Sequence, residues 1–127
     1  MAYENIILNI GQETTADLSA SQYLAVITPD ALAVAGAAAN AFGILQNKPD
    51  GSASGAQITT ATVMVAGISR AIASAAIVAG AKVGCAAAGE LRTAVSGDHV
   101  IGIALEAAAA QGDIFAVLLA TGGAPLP

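Results

Sequence analysis

Short apolar runs with β-branched residues recur along this chain, and polar stretches with glycine, proline or aspartate separate them. The pattern predicts strands at residues 23–28, 42–46, 100–106 and 114–120, and a longer strand at residues 56–66. We expect Gly67 to break the long strand and extended structure to resume at residues 68–72. Short strands with such turns between them are typical of β-barrels and β-sandwiches, so the pattern predicts an all-β fold.

The alanine-rich stretches are harder to interpret. Residues 31–41 fit either a strand or a helix, because short runs of this kind are ambiguous by periodicity alone. Residues 90–95 alternate more clearly and favour a strand, and residues 107–110 fit a loop or a single helical turn.

A similar unit occurs twice in the chain, 59 positions apart. Leu32 and the run Phe42-Gly43-Ile44-Leu45 align with Leu91 and the run Ile101-Gly102-Ile103-Ala104. The run Val63 to Ala66 then corresponds to Phe115 to Leu118, and Val26 aligns with Cys85. We therefore interpret residues 21–127 as one compact β-barrel or sandwich domain, built from two similar units at about residues 22–68 and 81–121.

Residues 1–20 are predicted to form an extended N-terminal arm. The arm contains Ile6, Ile7, Leu8 and Ile10, which are costly to leave in water, so we expect it to dock on its own domain or on a neighbour. The turn-rich loop around Lys48, Pro49 and Asp50 is the second candidate for binding a partner.

The composition limits the kinds of partner. Charged residues make up 10% of the chain, against about 25% in ordinary soluble domains, so we expect other protein to cover part of the surface. The apolar content of 56% is broken by polar residues and glycine, and no window of about 20 apolar residues suggests a membrane span. The start of the chain lacks the basic and apolar regions of a secretory signal, so we expect synthesis in the cytoplasm. A net charge of −5 with four scattered basic residues does not favour nucleic-acid binding.

The residues that could carry chemistry are few. Cys85 is the single cysteine and His99 the single histidine. A small hydrolase using this pair is one alternative, although the alignment of Cys85 with a valine favours a buried packing role. The carboxylates Glu106 and Asp113 flank a loop and are expected to cap or solvate it rather than to form a hydrolytic pair. We expect no enzymatic activity, no cofactor and no metal site.

The stretch from Val100 to Asp113, with Phe115-Ala116-Val117-Leu118-Leu119 after it, resembles the signature of the small head-decoration, or capsid cement, proteins of tailed bacteriophages. The runs Val65-Ala66-Gly67-Ile68 and Ala79-Gly80-Ala81-Lys82-Val83 are similar to that family as well, so the resemblance covers about residues 22–121. Members of the family often have Gly-Asp where this chain has Gly80-Ala81.

The resemblance implies a β-rich protein on the outer surface of a phage head, made in the host cytoplasm, that bridges neighbouring major capsid proteins. It also implies a homo-oligomer, commonly a trimer at threefold positions. On this hypothesis capsid binding falls on Ile6, Ile7, Leu8 and Ile10 in the arm and on Lys48, Pro49 and Asp50 in the loop. The alternative within phage structural proteins is a tail or fibre component.

Overall fold

The computed structural model describes residues 2–28, 32–52, 60–122 and 124–127. Over these residues the chain is built from short strands: β1 (Asn5–Glu13), β2 (Ala25–Ile27), β3 (Ala33–Val34), β4 (Gly43–Leu45), β5 (Thr60–Ile72), β6 (Lys82–Cys85), β7 (Leu91–Thr93), β8 (Val100–Ala104) and β9 (Ile114–Leu119). A turn of 3-10 helix at Ala87–Gly89 separates β6 from β7. The predicted all-β fold is confirmed.

The strands predicted at residues 23–28, 42–46, 100–106 and 114–120 are observed as β2, β4, β8 and β9, each one to three residues shorter than predicted. The stretch left open between strand and helix contains β3, and the predicted strand at residues 90–95 is β7. The predicted start of the long strand, at residues 56–59, lies outside the described residues.

The strands of the described residues form one antiparallel sheet in the order β3-β2-β4-β5-β9-β8-β6-β7, and β1 pairs with β5. Met64 has both Ile44 and Asn9 as partners, and Ile68 has both Leu118 and Asn5. A strand residue pairs with one residue on each side of its strand. β4 and β9 therefore lie along the same edge of β5, and β1 lies along the other edge. The predicted arm therefore docks on its own sheet through β1.

Gly67 does not end β5, contrary to our expectation, because β5 continues through it to Ile72 and the neighbouring strand β1 bulges beside it. Its φ of 117° lies where L side chains are strained, and a Cβ there would clash with Asn5 and Ile7 of β1. The register of β1 against β5 shifts at this point, between Ile6 and Leu8. Ile7 is the extra residue on β1 at this shift, and Val65 is the extra residue on β5 at the next shift, between Leu8 and Asn9.

The backbone hydrogen bonds repeat along the chain. Four bonds of the first half serve as examples, each matched by a bond in the second. Leu18 N–H to Pro49 O is matched by Ile77 N–H to Ala108 O, and Tyr23 N–H to Leu45 O by Gly80 N–H to Ala104 O. Leu45 N–H to Leu24 O is matched by Ala104 N–H to Ala81 O, and Ala35 N–H to Ala25 O by Ala94 N–H to Lys82 O. The strand order is also mirrored about the β5–β9 contact. We call residues 9–66 the first unit and residues 68–120 the second unit. The last strand of the first unit and the first strand of the second are thus two halves of β5.

The pairing corrects the alignment of the two units. Val26 pairs with Gly43, and Val83 pairs with Gly102 in the same way, so Val83 rather than Cys85 corresponds to Val26. The reason is that the connection from β1 to β2 is two residues longer than the connection from β5 to β6. In the last strands, Val63 corresponds to Val117 and not to Phe115.

The buried apolar side chains form two clusters. One fills the first unit, with Leu18, Val26, Leu32, Leu45, Ala61 and Val63. The larger cluster fills the second unit around Phe115, and it also includes Ala25, Ala35, Ala41, Ile44 and Met64 from the first unit. The outer face of the first unit is therefore buried against the second unit. No helix among the described residues is long and apolar enough to cross a membrane.

Candidate interaction surface

The N-terminal half of β1 exposes three consecutive apolar residues, which we call the β1 tip: Ile6, Ile7 and Leu8. Their exposed fractions are 55%, 75% and 50%. Among the described residues no strand other than β5 pairs with β1, which leaves its outer edge open. An open edge with exposed apolar side chains favours pairing with another chain.

The other predicted binding residues lie elsewhere. Ile10 is half-buried and packs against the first-unit cluster. Pro49 is buried, and its carbonyl accepts a hydrogen bond from the Leu18 N–H at 2.9 Å. Asp50 accepts hydrogen bonds from Ser52, and Lys48 is exposed.

This loop lies at the far end of β1 from the β1 tip. The Asn47 side chain donates to the Thr60 carbonyl at 3.0 Å, and Thr60 pairs with Glu13. Five residues of extended strand separate Glu13 from Leu8, a distance of about 17 Å. The structure therefore does not bring Lys48, Pro49 and Asp50 together with the β1 tip.

A cluster around Arg70 fixes the start of β1. Its guanidinium lies 3.5 Å from the Glu4 carboxylate and 5.9 Å from the centre of the Tyr23 ring. The partly exposed ion pair is screened by water and contributes little to stability. Its role is positional, because it ties the residue before β1 to the outer face of β5.

A second exposed apolar surface was not predicted from the sequence. We call it the second-unit face, and it consists of Ile68, Ile72, Ile103, Ile114 and Leu118. Ile103, Ile114 and Leu118 are 38%, 49% and 40% exposed, and Ile68 and Ile72 are half-buried. The residues share one face because Leu118 pairs with both Ile68 and Ile103, and Ile114 pairs with Ile72. The sequence signal was the alternation along β9, in which Ile114 and Leu118 fall at outward positions.

The candidates for chemistry have structural roles. Cys85 is fully buried, and burial raises the pKa of its thiol to about 11, which disfavours the thiolate that a nucleophile needs. The Asp113 carboxylate accepts hydrogen bonds from the N–H groups of Ala109 and Ala110 and so caps the turn before β9. Within the described part of the chain, no three His, Cys, Asp or Glu side chains are grouped as metal ligands.

A buried ion pair stabilises the turn after β7. Arg92 donates to Asp98 from Nη2 at 2.8 Å and from Nε at 3.1 Å, and the Val95 N–H donates to the same carboxylate. The hydrogen bonds from Arg92 are the main reason that the pKa of Asp98 lies below its ordinary value. Asp98 is 1% exposed, so the turn depends on this pairing.

The C-terminal tail covers the same turn. The Gly97 N–H donates to the Leu126 carbonyl and the Leu126 N–H donates to the Asp98 carbonyl, each at 2.9 Å. In the first unit, the corresponding Ala38 N–H donates to the Cys85 carbonyl at 3.0 Å. The tail thus occupies, on the second unit, the place that the end of β6 occupies on the first.

The chain is therefore an all-β protein with two units in one sheet, an open edge and two exposed apolar surfaces. No protein-family model and no curated protein matches it. Among solved structures it is similar to the head fiber gp8.5 N base of bacteriophage phi29, with a TM-score of 0.66 and 16% sequence identity. The match covers 89% of this chain and 93% of that chain, and at this identity it shows a shared fold.

Proposed function

We propose that the chain is a structural protein of a phage virion. More specifically, it is a decoration protein that binds the outside of the head and stabilises contacts between major capsid proteins. The observation that carries the proposal is the shared fold with the base of a phage head fiber, which extends over nearly the whole of both chains. The similarity of residues 100–119 to capsid cement proteins supports the same conclusion.

The surface of the protein is consistent with such a role. Among the described residues the β1 tip lies on an open strand edge, where a partner strand can add main-chain hydrogen bonds and cover the exposed apolar side chains. We propose that the partners are the major capsid protein and further copies of this chain, in a homo-oligomer that we expect to be a trimer. Many identical sites on a shell let weak single contacts add up to stable attachment.

The proposed role needs no catalysis. The buried Cys85 and the turn-capping Asp113 serve the fold, and neither supports the alternative of a cysteine-dependent hydrolase.

A second candidate is a fibre component of the virion. The structural neighbour itself favours it, since that protein is the N base of a head fiber. The two candidates differ in where the protein sits: a decoration protein covers the shell, whereas a tail or fibre component occupies a few defined places.

The test is co-sedimentation of the purified protein with phage heads that lack it and, separately, with tails. Saturable binding at many copies per head, with an increase in the temperature at which heads release DNA, is the result expected for a decoration protein. Binding confined to tails, or at few copies per head, would contradict it. The Ile7→Lys variant probes the β1 tip alone. Deletion of residues 1–12 is less specific, because it would remove most of β1 and also uncover the edge of β5.

A further inference from the structure

The two units of the chain pack against each other through a different face of each. Ile44 and Met64 lie on the outer face of the first unit, and both are fully buried in the larger apolar cluster. That cluster fills the second unit and includes Ile101 and Leu119 from its last two strands. The outer face of the first unit therefore closes the interior of the second.

The outer face of the second unit is an uncovered counterpart of this buried face. Ile103 pairs with Leu118 in the second unit as Ile44 pairs with Met64 in the first, so the two pairs correspond. Ile103 and Leu118 are 38% and 40% exposed. The second unit thus presents to solvent the apolar pair that the first unit buries against its neighbour.

The interior of the first unit is the other uncovered half. Phe42 corresponds to Ile101, because each lies directly before the glycine of a matched strand pair, and Val65 corresponds to Leu119. Ile101 and Leu119 are 1% and 7% exposed. Phe42 and Val65 are only half-buried where they pack against the first-unit cluster, as is Ile10. We call Ile10, Phe42 and Val65 the first-unit opening. The second unit of the same chain does not close it, because that unit packs against the other face.

One side-chain pair at the internal contact has an informative counterpart. Gln46 Nε2 of the first unit donates to Ser69 Oγ of the second at 2.8 Å. Leu105 corresponds to Gln46, because their N–H groups donate to equivalent carbonyls of the last strands. Ile10 corresponds to Ser69 by its place opposite the last strand. A polar pair inside the chain is thus matched by two half-buried apolar residues, which gain by leaving water together.

A second copy of the chain provides both missing surfaces. When the relation between the first and second unit is repeated from one chain to the next, the second-unit face of one copy meets the first-unit opening of the other. Leu105 then lies against Ile10 of the second copy, and Leu118 lies at the opening beside Phe42 and Val65. Because the contact joins two different surfaces, it is head-to-tail and closes into a ring when the rotation allows.

The repeat of the internal contact is partial at one edge. On the first unit, the Cys85 carbonyl accepts a hydrogen bond from the Ala38 N–H. On the second unit, the Leu126 carbonyl of the tail takes this place and accepts from the Gly97 N–H. The tail therefore covers this edge itself, and the second copy covers the centre of the face.

The internal contact also indicates which residues lie outside the proposed one. Ile114 corresponds to Thr60, which is exposed in the first unit, so we expect Ile114 to stay outside although it is apolar. Lys82 takes the place of the buried Ala25. Its aliphatic stem can lie along the apolar surface at the rim while the ammonium stays in water.

We propose that the centre of the second-unit face, at Ile103 and Leu118, binds the first-unit opening of a second copy together with the neighbouring Leu105. This contact builds the homo-oligomer. The inference rests on the proposed function, because it identifies the surfaces by which the oligomer of that proposal assembles.

A chain with both Ile10→Cys and Leu105→Cys tests the pairing directly. A short bismaleimide, which links thiols that lie close together, should join each chain to the next. The expected result is a ladder on a denaturing gel that ends at the full oligomer, while each single variant stays at one chain. Dimers from either single variant would indicate like-to-like contacts and overturn the proposal, as would the absence of a ladder. The unsubstituted chain is the control, since its Cys85 is fully buried.

Charge substitutions test the same contact without cross-linking. Leu118→Lys and Leu105→Lys should each reduce the mass measured by light scattering to that of one chain, 12.2 kDa, with the circular dichroism of a folded protein. Ile114→Lys is the matched control, because Ile114 lies on the strand and face of Leu118, is 49% exposed, and should leave the oligomer intact. An oligomer that survives both substitutions, or that Ile114→Lys disrupts equally, would overturn the proposal. So would an unsubstituted protein that is monomeric at its highest soluble concentration.

Binding to heads separates this inference from the proposed function. If Leu118→Lys keeps the oligomer and loses head binding, the second-unit face contacts the capsid, and the inference fails while the proposed function stands. If the ladder forms but the oligomer binds no heads, the inference stands and the decoration role fails.

Discussion

Arg92 and Asp98 are joined by two hydrogen bonds of 2.8 and 3.1 Å, with the carboxylate almost fully buried and the guanidinium partly exposed. Asp98→Ala leaves Arg92 and the Val95 N–H without their acceptor. We expect the free energy of unfolding to fall by about 2–3 kcal/mol. Urea denaturation followed by circular dichroism measures the change. Asp17→Ala is the control, since Asp17 is exposed and its side chain accepts hydrogen bonds from the nearby Ser19, and its effect should be clearly smaller.

The same pair predicts a pH dependence. The hydrogen bonds from Arg92 lower the pKa of Asp98 in the folded protein below its ordinary value of 3.8. The stabilisation is therefore complete above that value and is lost as the pH falls through the lowered folded pKa. Thermal unfolding from neutral pH to strongly acidic pH should show this loss, and Asp98→Asn should show less of it. Equal acid sensitivity in both proteins would contradict the assignment.

The strands could be predicted from the sequence because each is a short apolar run next to turn residues, as Ile114 to Leu119 is after Gly112 and Asp113. The pairing of β1 and β9 with β5 could not, because it joins residues far apart in the chain. Gly67 was wrongly predicted to end a strand, since a glycine breaks a strand or forms a bulge depending on the strand beside it. The β1 tip was expected to dock, and β1 does pair with β5, but its exposed side chains and the second-unit face follow only from the three-dimensional arrangement.

Gly43 and Gly102 hold corresponding positions where a neighbouring strand approaches closely. A Cβ on Gly102 would clash with the Leu118 carbonyl and the Val117 side chain, and one on Gly43 with the Met64 carbonyl and the Val63 side chain. Gly102→Ala is therefore expected to destabilise the protein by about 1–3 kcal/mol. Thermal denaturation checks this value.

Gly36→Ala is the matched control for that substitution. A Cβ at Gly36 meets no atom within 4 Å, and its φ is outside the left-handed region. We expect this change to be neutral or to stabilise the protein by up to about 1 kcal/mol, because alanine restricts the unfolded chain. Destabilisation of similar size in both variants would show that the close approach at Gly102 is not the cause.

Cys85 provides a probe of folding. Its burial and its pKa of about 11 predict that iodoacetamide at neutral pH leaves it unmodified in the folded protein. Mass spectrometry measures the modification, and the same reaction in denaturant should reach completion. Rapid alkylation of Cys85 in the native protein would contradict its packing role and favour the alternative of a cysteine-dependent hydrolase.

The sharing of β5 between the two units has a mechanical consequence. Residues 60–66 complete one unit and residues 68–72 begin the other, so an uninterrupted strand with neighbours on both edges takes the place of a linker. A pull on one unit reaches the other through the covalent backbone of that strand, and no flexible joint absorbs it. If the chain binds the outside of a phage head as proposed, such a stiff body would transmit strain between the capsid proteins that it contacts.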